Sequence, residues 1–540
     1  MLPNNSGFQS MLKEGYKHYA GLEEAILRNI EASKELSVLT RTSYGPNGMK
    51  KMIVNHIDKI FITSDSTTIL KESEINHPAA KLIAMASKMQ KEDWGDGTNY
   101  VITLAGELLT QAENLIKSGL HPSAIISGFQ IGLDSALKIL ETCVEKTITD
   151  PRSDRVVIDV MNSALASKLP IYHQFFSELL TSACRSVLQE DKNSFNPESI
   201  RFVKLLGGNI EQAQMIPGFV ITRSPEGDQS KQVKKAKIAC FNCPFDPQGG
   251  ETKGTVLISN ADELLKYSST EEALAEKIVK GIAEMGVNVV VVGGSISELC
   301  LHYLNKYNIF VLKIQSKFEL ARLVKAVGGQ FIAKLGAPIP EELGYAESVH
   351  VQEIGSTKVT VFEVKSVDVK ISTIILRGAT MTIMDDIERC LENGVSCFKQ
   401  ILNDSRYCLG AGAVESFLIN KIDEVSSKLT GLEQYSCLQF GQAFEVFVRI
   451  LLENSGLNSN EQTSNVVAQN VTSPLVGINV YKGSIEEVSK FHIYDNLGSK
   501  INAIKLACYV VMTILRIDQI IVAKPSGGPK PKDNKGWDND

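Results

Sequence analysis

Gly95-Asp96-Gly97-Thr98-Asn99 stands between an amphipathic stretch ending near Asp93 and a run in which Val101, Leu104, Ala105, Leu108, Leu109, Ala112 and Leu115 recur at the spacing of one broad buried helical face. The five residues therefore read as a glycine loop that opens a helix. At such a place the backbone N–H groups lack intrahelical acceptors and the helix dipole is positive, so phosphate oxygens are well received. Asp96 adds a carboxylate suited to a Mg²⁺ that neutralises them, and ATP fits this chemistry better than most anions. An Asp-Gly turn that only caps a helix fits the same five residues equally well.

Two further segments bear on that choice. Tyr44-Gly45-Pro46-Asn47-Gly48 follows a helix-like stretch; Gly45 permits close backbone approach to a ligand, and Pro46 stiffens the turn. Ser64-Asp65-Ser66-Thr67-Thr68 follows the strand-like Ile60-Phe61-Ile62-Thr63 and places a carboxylate, Asp65, where it can orient an attacking water. No P-loop pattern occurs, the eight histidines form no HExxH, and there is no Gly-x-Ser-x-Gly elbow, so an independent metabolic enzyme is disfavoured.

The chain has 540 residues, which predicts about three or four domains. Hydrophobic residues at 43% and charged residues at 22% are those of a globular protein rather than a disordered or membrane one. A net charge of -6 argues against a general nucleic-acid binder, and the local basic run Lys231, Lys234, Lys235 and Lys237 reads as a solvated strand or loop. Met1-Leu2-Pro3-Asn4-Asn5 opens no signal peptide, and apolar runs such as Val287 to Val292 are too short to span a bilayer, so no membrane partner is expected. Ten scattered cysteines read as free thiols of a reducing compartment, with the cytoplasm as the expected location. The single CxxC, Cys240-Phe241-Asn242-Cys243, has no second pair at metal-site spacing and reads as structural.

The order of elements is helical, then α/β, then helical. The character changes near Ile216-Pro217-Gly218, where Phe219-Val220-Ile221 and Ile238-Ala239-Cys240 are strand-like. Ser269 with Glu272 has capping-box spacing, with Leu274, Ile278, Ile282 and Met285 predicted on one helical face, followed by the β-branched run Val289 to Val292 closed by Gly293-Gly294. That turn lacks GxGxxG and is not assigned a nucleotide. A second buried strand, Ile309 to Leu312, and a helix through Val327 complete an α/β layer. After about Ser366 a strand, Ile371 to Leu376, precedes sequence that is mostly helical, including the face Ile504, Ala507, Val511 and Ile514. From Lys524 the composition reads as a mobile tail.

The three glycine and carboxylate segments, taken in order with Leu376-Arg377-Gly378-Ala379, Asp385-Asp386-Ile387-Glu388-Arg389, Gly410-Ala411-Gly412-Ala413-Val414-Glu415, Glu453-Asn454-Ser455-Gly456 and Ile514-Leu515-Arg516-Ile517-Asp518, resemble the group II chaperonins over essentially the whole chain. Within that family the Gly-Asp-Gly-Thr-Asn variant, Pro244 with Glu251 to Ile258, and Ala523-Lys524-Pro525 resemble one particular subunit type of the cytosolic hetero-oligomer.

The resemblance implies a multidomain α+β fold. Its mostly helical equatorial domain would be discontinuous, residues 1–147 and 408–523; a small α/β intermediate hinge domain would comprise 148–217 and 367–407; an α/β apical domain with a helical lid protrusion would span 218–366, with 524–540 a disordered tail. It implies an ATP and Mg²⁺ pocket in which Tyr44, Gly45, Pro46, Asp96, Gly97, Thr98 and Asn99 form the phosphate and metal side, Asp96 holds the Mg²⁺, and Asp495 and Lys500 form the nucleoside side. Ser167 and Lys168 would reach the nucleotide from the hinge, and Gly410, Ala411 and Gly412 would border it. The implied assembly is a double ring of two eight-membered rings of paralogous subunits that folds unfolded clients such as actin and tubulin.

The sequence departs from the family in three places. The catalytic pattern Glu-Arg-x-x-x-Asp reads Glu388-Arg389-Cys390-Leu391-Glu392-Asn393, so an amide stands where the second carboxylate is expected; an amide cannot take a proton from water, and slow turnover is expected. Neighbouring Glu392 points about 100° away around a helix. Ser66 replaces the family glycine after Asp65, and Ala411 interrupts a glycine run with a methyl that either narrows the pocket or is absorbed by the loop.

Overall fold

A computed structural model describes residues 17–20, 22–152, 155–188, 195–227, 232–246, 261–364 and 371–522. The tail from Lys524, the stretch Glu251 to Ile258, Lys231 and the boundary near Ser366 lie outside the described residues.

Thr98–Lys117 is the helix around which the first body is built. Every residue of its predicted apolar face is buried, and so are Tyr100 and Ile102, so the helix is enclosed on more sides than its periodicity required. Its neighbours come from both ends of the chain: Leu22–Arg41, Pro78–Trp94 and Pro122–Thr142 from one side of the sequence, Ala413–Ser426, Leu432–Gln442, Glu445–Asn454 and Leu497–Leu515 from the other, all sharing one core. A short antiparallel pairing of Lys17–Ala20 with Gln519–Val522 joins the two end segments again. Pro122–Thr142 and Leu497–Leu515 are long and apolar enough to cross a membrane by length and composition. Their apolar residues, among them Phe129, Leu133, Ile504 and Val511, are spent in this core.

Close helix crossings are made possible by small residues. A Cβ on Gly106 would lie 2.2 Å from the Cβ of buried Ser37, and one on Gly128 would lie 2.3 Å from that of Ser436. The first contact sets the separation of Leu22–Arg41 from Thr98–Lys117, the second that of Pro122–Thr142 from Leu432–Gln442.

The second body has a three-stranded sheet with Ser372–Gly378 in the middle, parallel to Ile200–Leu206 and antiparallel to Gln214–Pro217. Helices Val156–Ala166, His173–Val187 and Met381–Asn403 share a core with it. The predicted strand at Ile371 to Leu376 is thus the central one, and its partners come from residues far earlier in the chain.

The third body is a seven-stranded mixed sheet. Phe310–Lys313, Val289–Val292 and Gln232–Phe241 run parallel, and Gly344–Ile354, Thr357–Glu363 and Phe219–Ile221 continue it antiparallel, with Phe331–Ile332 beside Gln232–Phe241. Val289 and Val291 enter one core and Val290 and Val292 the other, which is why this strand reads as an unbroken β-branched run instead of an alternation. Lys234, Lys235 and Lys237 are exposed on Gln232–Phe241, the solvated strand expected of the basic run. Cys240 is buried in the same strand, and burial pushes its thiol up to about 12.

Two expectations are corrected here. The helix before Val289 runs Ala261–Glu284, so Ser269 and Glu272 lie within it and do not cap its start. Of the predicted face, Ile282 is buried and Ile278 and Met285 are half-buried against the same core, whereas Leu274 is exposed; Ala275 and Val279 are buried in its place, in the core that Val287 and Ile309 share.

Because Gly106 has no room for a side chain, Gly106→Ala forces Leu22–Arg41 away from Thr98–Lys117 and is expected to cost about 1–3 kcal/mol of stability in chemical denaturation. Adding Ser37→Gly removes the colliding atom and should recover part of that loss; an equally destabilised double variant would show that the crossing is not limited by this contact.

Candidate functional site

The helical body and the second body meet at a cavity of about 560 Å³. Tyr44, Gly45, Pro46, Asp65, Asp96, Gly97, Thr98, Asn99, Ser167, Lys168, Ala411, Gly412, Asp495 and Lys500 all line it. Segments read separately in the sequence are thereby brought to one place. Gly410 and Asn393 are not among the lining residues.

Two helices begin at this cavity without a side-chain cap. Gly95, at φ 75°, ends Pro78–Trp94, donating its N–H to the Lys91 carbonyl at 2.9 Å. Gly97, at φ 80°, is the N-cap of Thr98–Lys117 and has no side chain with which to satisfy the first turn. Asp96 therefore does not act as the cap, and the alternative left open by the sequence is resolved: its carboxylate is 42% exposed and lies 3.5 Å from Lys168 Nζ. Across the cavity Gly412, at φ 83°, starts Ala413–Ser426 in the same uncapped way. Ala413 N–H is taken by the Gly410 carbonyl at 3.1 Å, but the N–H groups that follow it in the first turn, like those at the Thr98 start, have no backbone acceptor, and both starts present a positive dipole end to whatever fills the space.

The remaining glycine positions keep the walls close. A Cβ on Gly45 would lie 2.7 Å from Leu451 Cδ2, and Asn454 fixes that turn by donating to the carbonyls of Arg41 at 3.2 Å and Tyr44 at 2.8 Å. Tyr100 stacks on Phe447 at 3.9 Å, with the Tyr44 ring 5.7 Å from the same phenyl. Asn99 donates to the Thr40 carbonyl at 3.0 Å, tying the loop to Leu22–Arg41. Ala411 holds φ 55°, a left-handed conformation that costs a non-glycine residue about 1–2 kcal/mol, and its carbonyl accepts from Ile478 N–H at 3.1 Å. Its methyl faces Gly477, where an added Cβ would sit 3.2 Å away.

Charge is arranged in two groups. Asp65 is 2% exposed and caps Ser66–Glu72; its Oδ2 accepts from Thr68 N–H at 3.3 Å, Thr68 Oγ1 at 2.7 Å and Lys91 Nζ at 2.8 Å. Burial would raise this carboxyl, but Lys168 and Lys91 outweigh it and hold it below the ordinary range, so it is ionised at neutral pH. Its Oδ1 is buried with no hydrogen-bond partner, as is the neighbouring Ser64 hydroxyl. Lys168 is itself buried, which alone would lower its pKa, yet Asp96 and Asp65 raise it, so it stays charged. In the second group Lys500 lies 2.8 Å from Glu415 and 2.9 Å from Asp495, and these acids overcome its burial and raise it. Ser167 spends its hydroxyl on the Ala164 carbonyl at 2.8 Å.

Met381–Asn403 crosses behind the loop. A Cβ on Gly95 would meet Ser396 Cβ at 2.3 Å and the Asn393 carbonyl at 3.3 Å. Asn393 is thus beside the loop, 4% exposed, with a buried Nδ2 that has no partner, while Cys397 and Gln400 of the same helix line the cavity. Glu392 is exposed and does not line it. Glu388 pairs with Lys204 at 2.7 Å, and Arg389 with Asp386 at 3.5 Å, so this part of the motif ties the helix to its surroundings. Gly410 is placed against Asp495, where a Cβ would lie 3.2 Å from Asp495 Cγ, and so acts from behind the lining.

Sequence reasoning missed Trp94, Glu415, Tyr481 and Tyr494 as lining residues. Glu415 had a signal, a charged residue inside the quoted Gly410–Glu415 motif; Tyr481 and Tyr494 come from strands and turns that only tertiary packing brings here. As a chemical set, two uncapped helix starts with Lys168 suit phosphate oxygens, the half-exposed Asp96 carboxylate suits Mg²⁺, and the unpartnered Asp65 Oδ1 suits a bound water. The residues fit Mg·ATP.

The profile of the TCP-1/cpn60 chaperonin family matches residues 36–525. The chain is similar to T-complex protein 1 subunit theta of Dictyostelium discoideum, 45% identical over 526 residues that cover 97% of this chain and 98% of that one. It is likewise similar to the theta subunit of Homo sapiens, 44% identical over 543 residues covering 100% and 99%, and to that of Arabidopsis thaliana, 44% identical over 527 residues covering 97% and 96%. Theta is the subunit type that the variant motifs resemble. A profile match across most of the chain and full-length identity of this size lead to one conclusion: the chain belongs to the TCP-1/cpn60 chaperonin family.

Proposed function

We propose that this chain is a subunit of an ATP-driven cytosolic hetero-oligomeric chaperonin, which binds Mg·ATP in the cavity described above and hydrolyses it slowly. The observation that carries the reading is the pair of glycine-capped helix starts, at Gly97 and Gly412, opening without side-chain caps on one cavity that Lys168 enters from the second body. Mg·ATP supplies the phosphoanhydride whose cleavage drives the cycle. Free N–H groups of the two helix starts hold phosphate oxygens, Asp96 holds the Mg²⁺, and Lys168 adds a charge from the hinge side. Asp495 and Lys500, the lysine paired with both Asp495 and Glu415, border the nucleoside end.

In this reading residues 1–147 with 408–523 form the equatorial domain, 148–217 with 367–407 the intermediate hinge, and 218–366 the apical domain with its lid. What supports it is that the two chain ends share one core, the two hinge pieces share another, and two further cores lie on the two faces of the seven-stranded sheet. The partners are then paralogous subunits in two eight-membered rings, and the clients are unfolded proteins of the actin and tubulin kind. The contact of Lys168 with Asp96 gives the hinge a direct link to the metal side of the pocket.

Hydrolysis is expected to be slow because Asn393 can hydrogen-bond a water but cannot take its proton. Asp65, ionised and with one free oxygen, is the remaining carboxylate. Asn393 also favours a second reading, in which the subunit holds nucleotide as an assembly cofactor with no significant turnover. Both predict binding.

In single-turnover assays on the assembled complex, with the other subunits' sites inactivated, Asn393→Asp is expected to raise the hydrolysis rate about 100-fold or more at unchanged Mg·ATP affinity. Brisk hydrolysis by the natural Asn393 chain would sink this assignment, and a natural rate indistinguishable from zero would favour the cofactor reading. Asp96→Ala should weaken Mg²⁺-dependent ATP binding about tenfold or more in titration calorimetry; an unchanged Mg²⁺ dependence would remove Asp96 from the metal site.

A further inference from the structure

Ser66 and Thr98 are the first residues of two helices, Ser66–Glu72 and Thr98–Lys117, and both line the cavity. They are 1% and 4% exposed, and their hydroxyl oxygens lie 2.9 Å apart. Neither hydroxyl has a second hydrogen-bond partner among the described residues. In such a pair one hydroxyl donates and the other accepts, which uses one of the two protons and leaves the other. That second proton has no acceptor among the described residues: neither hydroxyl bonds the Thr98 carbonyl, which accepts from Ser87 at 3.2 Å, nor Asp65, whose Oδ2 is taken by Thr68 and Lys91 and whose Oδ1 has no partner. A buried hydroxyl proton without an acceptor is costly, and the cavity is the space left for it.

The two helix starts differ in what they offer a ligand. Ser66–Glu72 is capped by the ionised Asp65, which repels an anion. Thr98–Lys117 is capped by Gly97 alone, and its free N–H groups open on the same space as the Thr98 side chain. The outward donor is therefore Thr98, and Ser66 is the donor within the pair. We propose that Ser66 is a positioning residue for phosphate: it donates to the Thr98 hydroxyl and so turns the Thr98 proton toward a phosphoryl oxygen of the nucleotide. Two hydrogen bonds in series polarise one another, and the second is strengthened by the first. The inference rests on the nucleotide reading given above.

The test is a double-mutant cycle on the full chain, with Mg·ATP and adenosine as the two probes and calorimetric Kd as the readout. Ser66→Ala is expected to weaken Mg·ATP about fivefold, the share of one net hydrogen bond, while leaving adenosine binding unchanged. In a Thr98→Val background the same substitution should cost nothing further. If Ser66→Ala fails to fold, Ser66→Cys keeps the shape with a weaker donor and is expected to show the same selective loss, smaller in size. Equal Mg·ATP affinities for Ser66→Ala and the natural chain, or equal losses for Mg·ATP and adenosine, would overturn the role of Ser66 while leaving the nucleotide site standing. A natural chain that binds no Mg·ATP would overturn both.

Discussion

Enclosing the helix Thr98–Lys117 on nearly all sides is the constraint on which the rest of the structure depends. A helix buried this thoroughly cannot slide or tilt without opening voids in a close-packed interior. Its first turn is then fixed as firmly as its middle, and that turn, capped only by Gly97, is the wall of the cavity. The unsatisfied N–H groups there are held in place by hydrophobic contacts made up to thirty ångströms away along the helix, about 1.5 Å for each of its 20 residues. Binding chemistry at one end is thus supported by packing along the whole length.

Much of this was legible in the sequence because it was local. The glycine pair around Asp96, the period of Val101 to Leu115, and the unbroken valines at 289–292 each specify a conformation through residues within a few positions of one another. What was not legible depended on contacts between distant segments. Asp96 as cap or free carboxylate was decided by Gly97 taking the cap position, and by Lys168 lying opposite. Ser269 and Glu272 had the spacing of a helix start, but the helix begins earlier, and spacing alone carries no information on whether a turn precedes it. Gly410 looked like part of the lining because it belongs to a glycine run; the backbone turns so that it packs on Asp495 instead. The Ser66–Thr98 hydroxyl pair joins residues 32 positions apart and has no signature in either segment.

The site also shows how buried charge is managed. Lys91 and Lys168 keep Asp65 ionised, while Glu415 and Asp495 keep Lys500 charged. Each buried charge has its opposite within hydrogen-bonding reach, which avoids the large penalty of an isolated ion. Asn393, buried beside the loop, is a neutral amide and adds no charge that would need compensation.

The shared core of the two chain ends has a consequence for synthesis on the ribosome. Pro122–Thr142 packs on Leu432–Gln442, so the apolar faces of the first helices stay without their partners until residues 143–431 have been translated. At about 5–20 residues per second that is an interval on the order of tens of seconds, during which Phe129, Leu133 and their neighbours are exposed as any unfolded chain's would be. A member of a family of folding machines thus passes, on every round of its own production, through the condition of a client.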